Sequence, residues 1–205
     1  MTPEIPGATV PAPEDLSRAA APPPRPDGAA APAAAVYIGL GANLGDPVAT
    51  LEAALDALAA LARPGRHEEG ALRVSSFWRT APIEAHGPDF VNAVAGLSTD
   101  LAPHALLDVL QSIEARFGRE RPYRNAPRTL DLDLLVYGVD GDDGGRVCTD
   151  ERLTLPHPRA HERAFVLEPL AELWPSGRIP HRGEVLALRD QLRAQGGQRV
   201  DRLPH

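Results

Sequence analysis

Two stretches of this chain carry apolar residues at helical spacing, and strand-like runs bracket each of them. The first, residues 47–62, puts Val48, Leu51, Leu55, Leu58 and Leu61 on one face, with Asp46 placed to cap it and Pro47 at its first position. Residues 102–118 put Leu106, Leu107, Leu110, Ile113 and Phe117 on one side, and Gly118 stops the pattern. Ahead of the first helix, "AVYIGLGAN" reads as a short buried strand that runs into a glycine turn. Between the helices come two strands, "LRVSSFWRT" (72–80) and "DFVNAVAGLST" (89–99), with Pro82 and Gly87-Pro88 in their loop. After the second helix comes "TLDLDLLVYG". The order β-α-β-β-α-β predicts an α+β chain, a ferredoxin-like split β-α-β sandwich with an antiparallel sheet and helices on one face. A further short strand, "RVCTD", and helical pieces over 157–173 follow it.

That architecture serves many functions, so function has to come from the site. With 205 residues the chain can bury a core. Residues 1–34 hold nine of the 22 prolines and no apolar period, which predicts a disordered Ala/Pro-rich tail ahead of a domain spanning 35–205. Acidic Glu4, Glu14 and Asp15, and no basic start before an apolar run, do not fit a signal peptide. A net charge of -7 argues against wrapping nucleic acid. All formal side-chain positive charge is arginine, and the absence of lysine removes Schiff-base chemistry and the lysine-dependent phosphate loop. Cys148 stands alone, so neither a disulfide framework nor a cysteine-built zinc site forms within one chain. A cytoplasmic setting, no membrane span and a monomer are the expectation.

Within "RNAPRTLDLDLLVYG", strand alternation puts Leu130, Leu132, Leu134 and Val136 on one face and Asp131 and Asp133 on the other. Two carboxylates about 7 Å apart on one face repel unless a cation sits between them. Oxygen-only ligands suit Mg²⁺, and two such ions can clamp an in-line phosphoryl displacement. The bland reading is a solvated strand face. Arg116, Arg119, Arg121, Arg124 and Arg128 fall within 13 residues just before the pair, and guanidinium groups bind phosphate bidentately. A favourable helix-end dipole accounts for Arg116 and Arg119 but not for Arg128. Acid pair plus arginine cluster points to metal-bound polyphosphate.

"ERLTLPHPRAHERAF" adds a second basic cluster. His157 and His161 stand four residues apart without a third ligand, so a single histidine beside Arg152 and Arg163 fits a phosphate or ribose contact better than a metal site. "GLGANLG" is one residue too long for a dinucleotide fingerprint and reads as a tight strand-to-helix turn. Two other functions stay open at this level. A nucleotidyltransferase or cyclase palm also sets strand aspartates on Mg²⁺, but it needs acids on two neighbouring strands, and 89–99 offers only Asp89 and Asp100 at its edges. A non-enzymatic ligand-binding module has no need of acid pair and arginines together.

"APRTLDLDLLVYG" resembles the signature of the 6-hydroxymethyl-7,8-dihydropterin pyrophosphokinase family. "YIGLGANLGDP", "VSSFWRTAPI", "DFVNAV" and "LTLPHPRAHERAFVLEPL" resemble its other segments, in order, over roughly residues 36 to 174. The resemblance implies a ferredoxin-like fold, ATP as co-substrate, two Mg²⁺ ions, and transfer of the β,γ-diphosphate to the pterin hydroxymethyl oxygen with release of AMP. It also implies roles. Asp131 and Asp133 match the metal ligands, and Arg119 and Arg128 match arginines that meet the phosphates. Arg121 matches a mobile-loop contact to ATP, within a lid spanning 119–127. Gln111, Arg152, Thr154, His157 and Arg163 match the ATP side, and Thr80, Phe90, Asn92 and Phe165 the pterin side. A flat heterocycle suits aromatic faces and an amide that reads its edge. Asn125-Ala126 stand where the family often has Trp-Gly, Pro158 replaces an aromatic, and Ala81 replaces a proline.

Overall fold

The computed structural model describes residues 33–63, 72–82, 87–118, 129–139 and 145–204. Strand β1 (Ala34–Ala42) lies inside the sheet, antiparallel to β4 (Phe90–Thr99) on one side and to β5 (Asp131–Tyr137) on the other. Against the far edge of β4 run β2 (Arg73–Val74) and β3 (Trp78–Thr80). Helix α1 (Pro47–Ala59) leads from β1 toward β2, and α2 (Pro103–Arg116) leads from β4 toward β5. The strand order β3-β4-β1-β5 is the split β-α-β arrangement, in which each parallel pair is separated by an antiparallel strand.

Local chemistry sets the boundaries. Asp46 caps α1 by accepting from the Ala49 amide at 3.1 Å, with Pro47 following it. Gly118, with φ +72, ends the turn after α2 in the left-handed region that glycine favours. The stretch read as one strand over 72–80 is broken at 75–77. Ser75 Oγ accepts from the Val94 amide at 2.9 Å, so a hydroxyl takes the place of a backbone rung.

One sheet face carries Ile38, Leu40, Ala93, Ala95, Leu132 and Leu134 against Leu51 and Leu58 of α1 and Leu106, Leu110 and Ile113 of α2. The predicted helix-covered face is there. The segment beyond 157 adds a second layer on the opposite face, where α3 (Ala164–Leu173) and α4 (Val185–Gln195) set Val166, Leu167, Leu170 and Val185 against Tyr37, Val94, Leu135 and Val136. Arg193 of α4 holds Glu168 of α3 in a two-pronged ion pair, 2.6 Å at each prong. Strand β10 (Val200–Arg202) then joins the sheet beside β3.

Val136 does not share a face with Leu130, Leu132 and Leu134. The β1–β5 register runs Ile38 opposite Leu134 and then Tyr37 opposite Val136, which leaves Leu135 as an extra residue. This bulge reverses the alternation, so Val136 joins the α3 layer and Tyr137 turns to the α1–α2 side. Two hairpins complete the chain: β6 (Cys148–Thr149) with β7 (Thr154–Leu155), and β8 (Arg178–Ile179) with β9 (Gly183–Glu184). No helix among the described residues is long and apolar enough to cross a membrane.

Candidate active site

The sheet face toward α3 is apolar at one end and polar at the other. At the apolar end the Tyr37 and Trp174 rings stack 5.1 Å apart. At the polar end, the cross-strand register lines up named side chains. Asp131 of β5 pairs with Gly41 of β1, and Gly41 pairs with Asn92 of β4. One step along, Asp133 pairs with Gly39, and Gly39 with Val94. Directly opposed residues share a face, so Asp131, Asp133 and Asn92 project from the same side of the sheet. Two inter-strand steps separate Asp131 from Asn92 at the backbone, roughly 10 Å. Gly41 thus leaves a groove floor without a side chain between Asp131 and Asn92, while the Leu135 side chain lies over Gly39.

Asp131 and Asp133 are both partly exposed. Asp133 faces two groups from the segment before α3: Arg163 Nη1 lies 3.6 Å and His157 Nε2 3.8 Å from its Oδ2. His157 is fixed through its backbone, whose N–H donates to the carbonyl of the bulged Leu135 at 2.8 Å. The Arg159 amide donates to His157 Nδ1 at 3.2 Å, which leaves the ring proton on Nε2, toward Asp133. Burial pushes His157 below the ordinary imidazole value, Asp133 and Asp131 pull the other way, and Arg163 and Arg159 add to the lowering. A neutral ring offers one N–H donor at this spot. The Arg163 guanidinium also lies over the Phe165 ring, 5.4 Å from its centre.

On the other side of the groove, Asn92 Nδ2 donates to Thr80 Oγ1 at 2.9 Å, both side chains being buried. Phe90 pairs with Thr80 across β3 and β4 and is partly exposed. The structure therefore brings together Thr80, Phe90, Asn92, Asp131 and Asp133 on one sheet face, with His157 and Arg163 reaching toward it from the segment that leads into α3 and Phe165 from the first turn of α3.

The remaining sequence-predicted residues divide into two groups. Arg152 is ion-paired with Asp108 of α2, one helical turn before the exposed Gln111, and Thr154 follows on β7. Arg119, Arg121 and Arg128, with Arg124 and the proposed lid 119–127, lie outside the described residues. His161 lies with its Nε2 3.4 Å from Glu162 Oε1. Among the described residues, the one group of three His, Cys, Asp or Glu side chains with ligand atoms within 4.8 Å of one another is His104, Cys148 and Asp150. Its atoms already bond to each other: His104 Nε2 is 2.9 Å and Cys148 Sγ 3.3 Å from Asp150 Oδ2. Arg152 and Leu153 amides hold Asp150 Oδ1. The trio clasps the β6–β7 hairpin to the first turn of α2.

Two residues escaped the sequence reading. Glu114, 2 % exposed, accepts from the amide of Leu132, the residue between the two aspartates, at 2.8 Å. It secures the outer edge of β5. Its one sequence signal is an acid set beside Ile113 in an otherwise apolar helix face. Asn43, read only as part of a turn, is buried and donates to the Pro88 carbonyl at 3.3 Å, tying the end of β1 to the approach to β4. Oxygen donors from two carboxylates fit Mg²⁺, which binds through one or two carboxylates and completes its shell with water and substrate phosphate. No carboxylate stands opposite them on β1, where Gly39 and Gly41 occupy the facing positions. The acids on two adjacent strands that a palm-type site requires are missing from that pairing.

A family profile described as 7,8-dihydro-6-hydroxymethylpterin-pyrophosphokinase matches residues 37–175. A 2-amino-4-hydroxy-6-hydroxymethyldihydropteridine pyrophosphokinase of Pseudomonas aeruginosa is 44 % identical over 156 residues, covering 74 % of this chain and 90 % of that protein. One of Methylorubrum extorquens is 46 % identical over 143 residues, covering 68 % and 82 %. Among solved structures, an HPPK-DHPS in complex with substrates superposes with a TM-score of 0.59 at 11 % identity over 80 % of this chain. Wild-type Plasmodium falciparum HPPK-DHPS with pterin and p-hydroxybenzoate gives 0.59 at 13 % over 82 %. The chain spans 44 % and 43 % of those two chains, and likeness at such identity is one of fold alone.

Proposed function

The chain belongs to the 7,8-dihydro-6-hydroxymethylpterin-pyrophosphokinase family, and from that premise we propose that it transfers the β,γ-diphosphate of ATP to 6-hydroxymethyl-7,8-dihydropterin in folate biosynthesis, releasing AMP. The observation that supports the residue assignments is the cross-strand row Asp131–Gly41–Asn92, which sets a carboxylate and an amide on one sheet face with the bare backbone of Gly41 between them.

On this reading Asn92 and Thr80 read the hydrogen-bonding edge of the pterin, and Phe90 and Phe165 supply aromatic faces. The pterin hydroxymethyl oxygen is thereby held near the acid pair. Proximity of this kind turns a bimolecular step into a near-unimolecular one. Asp131 and Asp133 would hold two Mg²⁺ ions, which would supply charge neutralisation on the triphosphate. Arg163 binds phosphate oxygens as a planar fork, and neutral His157 donates its Nε2–H to one of them. Gln111, Arg152 and Thr154 hold the nucleotide portion, and Arg119, Arg121 and Arg128 complete the phosphate contacts. The hydroxymethyl oxygen attacks the β-phosphorus in line, the bond between the β-phosphorus and the α,β-bridging oxygen breaks, AMP carries the electron pair away, and the hydroxyl proton passes to solvent. Arg152 has to exchange Asp108 for the nucleotide in this scheme. We assign this activity to a cytoplasmic monomer whose catalytic unit is 35–205.

The test is product analysis. The purified chain with Mg²⁺ and ATP should release AMP, and only when hydroxymethyldihydropterin is present. ADP as the product, or AMP release indifferent to the pterin, would sink the assignment.

A further inference from the structure

Arg163 sits between two helical segments, the 3₁₀ turn Ala160–Glu162 and α3, in an extended conformation with φ -116 and ψ 113. A helix start leaves amide donors to be satisfied, and the residue just before α3 is an arginine, which has no acceptor atom and makes no capping bond. The cap comes from 34 residues further on. Gln198 Oε1 accepts from the Ala164 amide at 2.8 Å, and Gln198 Nε2 donates to the Glu162 carbonyl at 2.9 Å. These are the backbone groups on either side of Arg163. Only one orientation of the amide satisfies both, so the side chain cannot be flipped without losing the pair.

We propose that Gln198 is the positioning residue for Arg163, a clamp that fixes the backbone on both sides of it and so aims its guanidinium at Asp133 and over Phe165. The inference rests on the reading of Arg163 as a phosphate-binding residue. Residue 198 lies outside the 37–175 span of the family profile. It also lies two residues before Val200, which pairs with Thr80 across β10 and β3. One short run of chain thus braces both halves of the site: it pins the phosphate-side arginine through a side chain and the pterin-side strand through its backbone. Gly196, with φ +68, ends α4 just before it and turns the chain toward this position.

A double-mutant cycle tests it, because only a residue acting through Arg163 loses its effect when Arg163 is gone. Gln198→Met keeps the length and removes both hydrogen bonds. It should lower kcat/KM for ATP about tenfold, as misplacement of a contact group does, and the same change in an Arg163→Ala background should have an effect of less than about twofold. Gln198→Glu still accepts from Ala164 and should recover most of the loss. Should Gln198→Met fail to fold, the cycle run with Gln198→Ala, which also removes both hydrogen bonds, decides. Parental kcat/KM in Gln198→Met, or an equal fold-loss in both backgrounds, would overturn the clamp and leave the role of Arg163 standing. Parental kinetics in Arg163→Ala alone would overturn the reading of Arg163 and the clamp with it.

Discussion

Asn92 and Asp131 are both cross-strand partners of one residue, Gly41, the first from β4 and the second from β5. A Cβ on Gly41 would come within 3.2 Å of Asn92 Oδ1, tighter than ordinary contact. Gly41→Ala should therefore push the Asn92 amide off Thr80 and raise KM for the pterin roughly tenfold, the scale of a misplaced contact. The three atoms nearest a Cβ on Gly39 belong to the Leu135 side chain, at 3.4 Å and beyond, so Gly39→Ala should fold with a parental melting temperature. Steady-state kinetics and melting curves of the two variants check both halves.

Asp131→Asn and Asp133→Asn should each cut turnover by a factor of about 10² to 10³, if both hold the ions that neutralise the triphosphate. Removing the Asp133 charge also loses its attraction to Arg163 at 3.6 Å, a partly exposed pair worth about 0–1 kcal/mol. Single-turnover rates across Mg²⁺ concentrations, beside melting curves without ligand, measure both effects. Parental rates in both variants would make this an ordinary strand.

Glu114→Ala leaves the buried Leu132 amide without its carboxylate and should cost about 1–3 kcal/mol. Glu114→Gln keeps an acceptor and should cost less. Urea unfolding gives the difference. Amide exchange at Leu132 should quicken in the alanine variant, because the strand segment between the aspartates loses its outer hydrogen bond.

The Arg152 amide, then the Cys148 thiol and the Leu153 amide, hold the Asp150 carboxylate down to about 2 from an ordinary 3.8. A depressed carboxylate stabilises the fold above its ordinary value, and that contribution is lost as pH falls through the folded value. The stability advantage of the parent over Asp150→Asn should thus be full above pH 3.8 and disappear toward pH 2. In return, the hydrogen bond to Asp150 is the main cause that raises the Cys148 thiol. Asp150→Asn should speed alkylation of Cys148 by iodoacetamide at pH 8, since more of it is then thiolate. An unchanged alkylation rate would contradict the coupling.

Strand β1 begins at Ala34, paired with Thr99. A chain shortened to start at Ala33 keeps that rung, and it should match the full chain in melting temperature and turnover. A loss of several degrees would place residues 1–32 within the folded unit.

The sequence by itself determined the β-α-β-β-α-β order and the sheet face that its two helices cover, because helical spacing and strand alternation are local and 3.6 and 2 residues are hard to confuse over ten or more positions. It also supplied the identity of the acid pair. Alternation put Asp131 and Asp133 on one face, and the register agrees. It misplaced Val136, since one extra residue at Leu135 reverses the alternation and nothing in "LDLLVYG" marks the bulge. It read 72–80 as unbroken because the competing hydrogen bond of Ser75 goes to Val94, 19 residues away. What only the tertiary structure decided is which residues meet. That Gly41 lies between Asn92 and Asp131, that Glu114 holds the strand edge and that Gln198 brackets Arg163 all depend on contacts 18 to 90 positions apart in the chain. Side-chain spacing along a segment carries no information about its partner, whereas strand register and helix docking fix those partners in three dimensions.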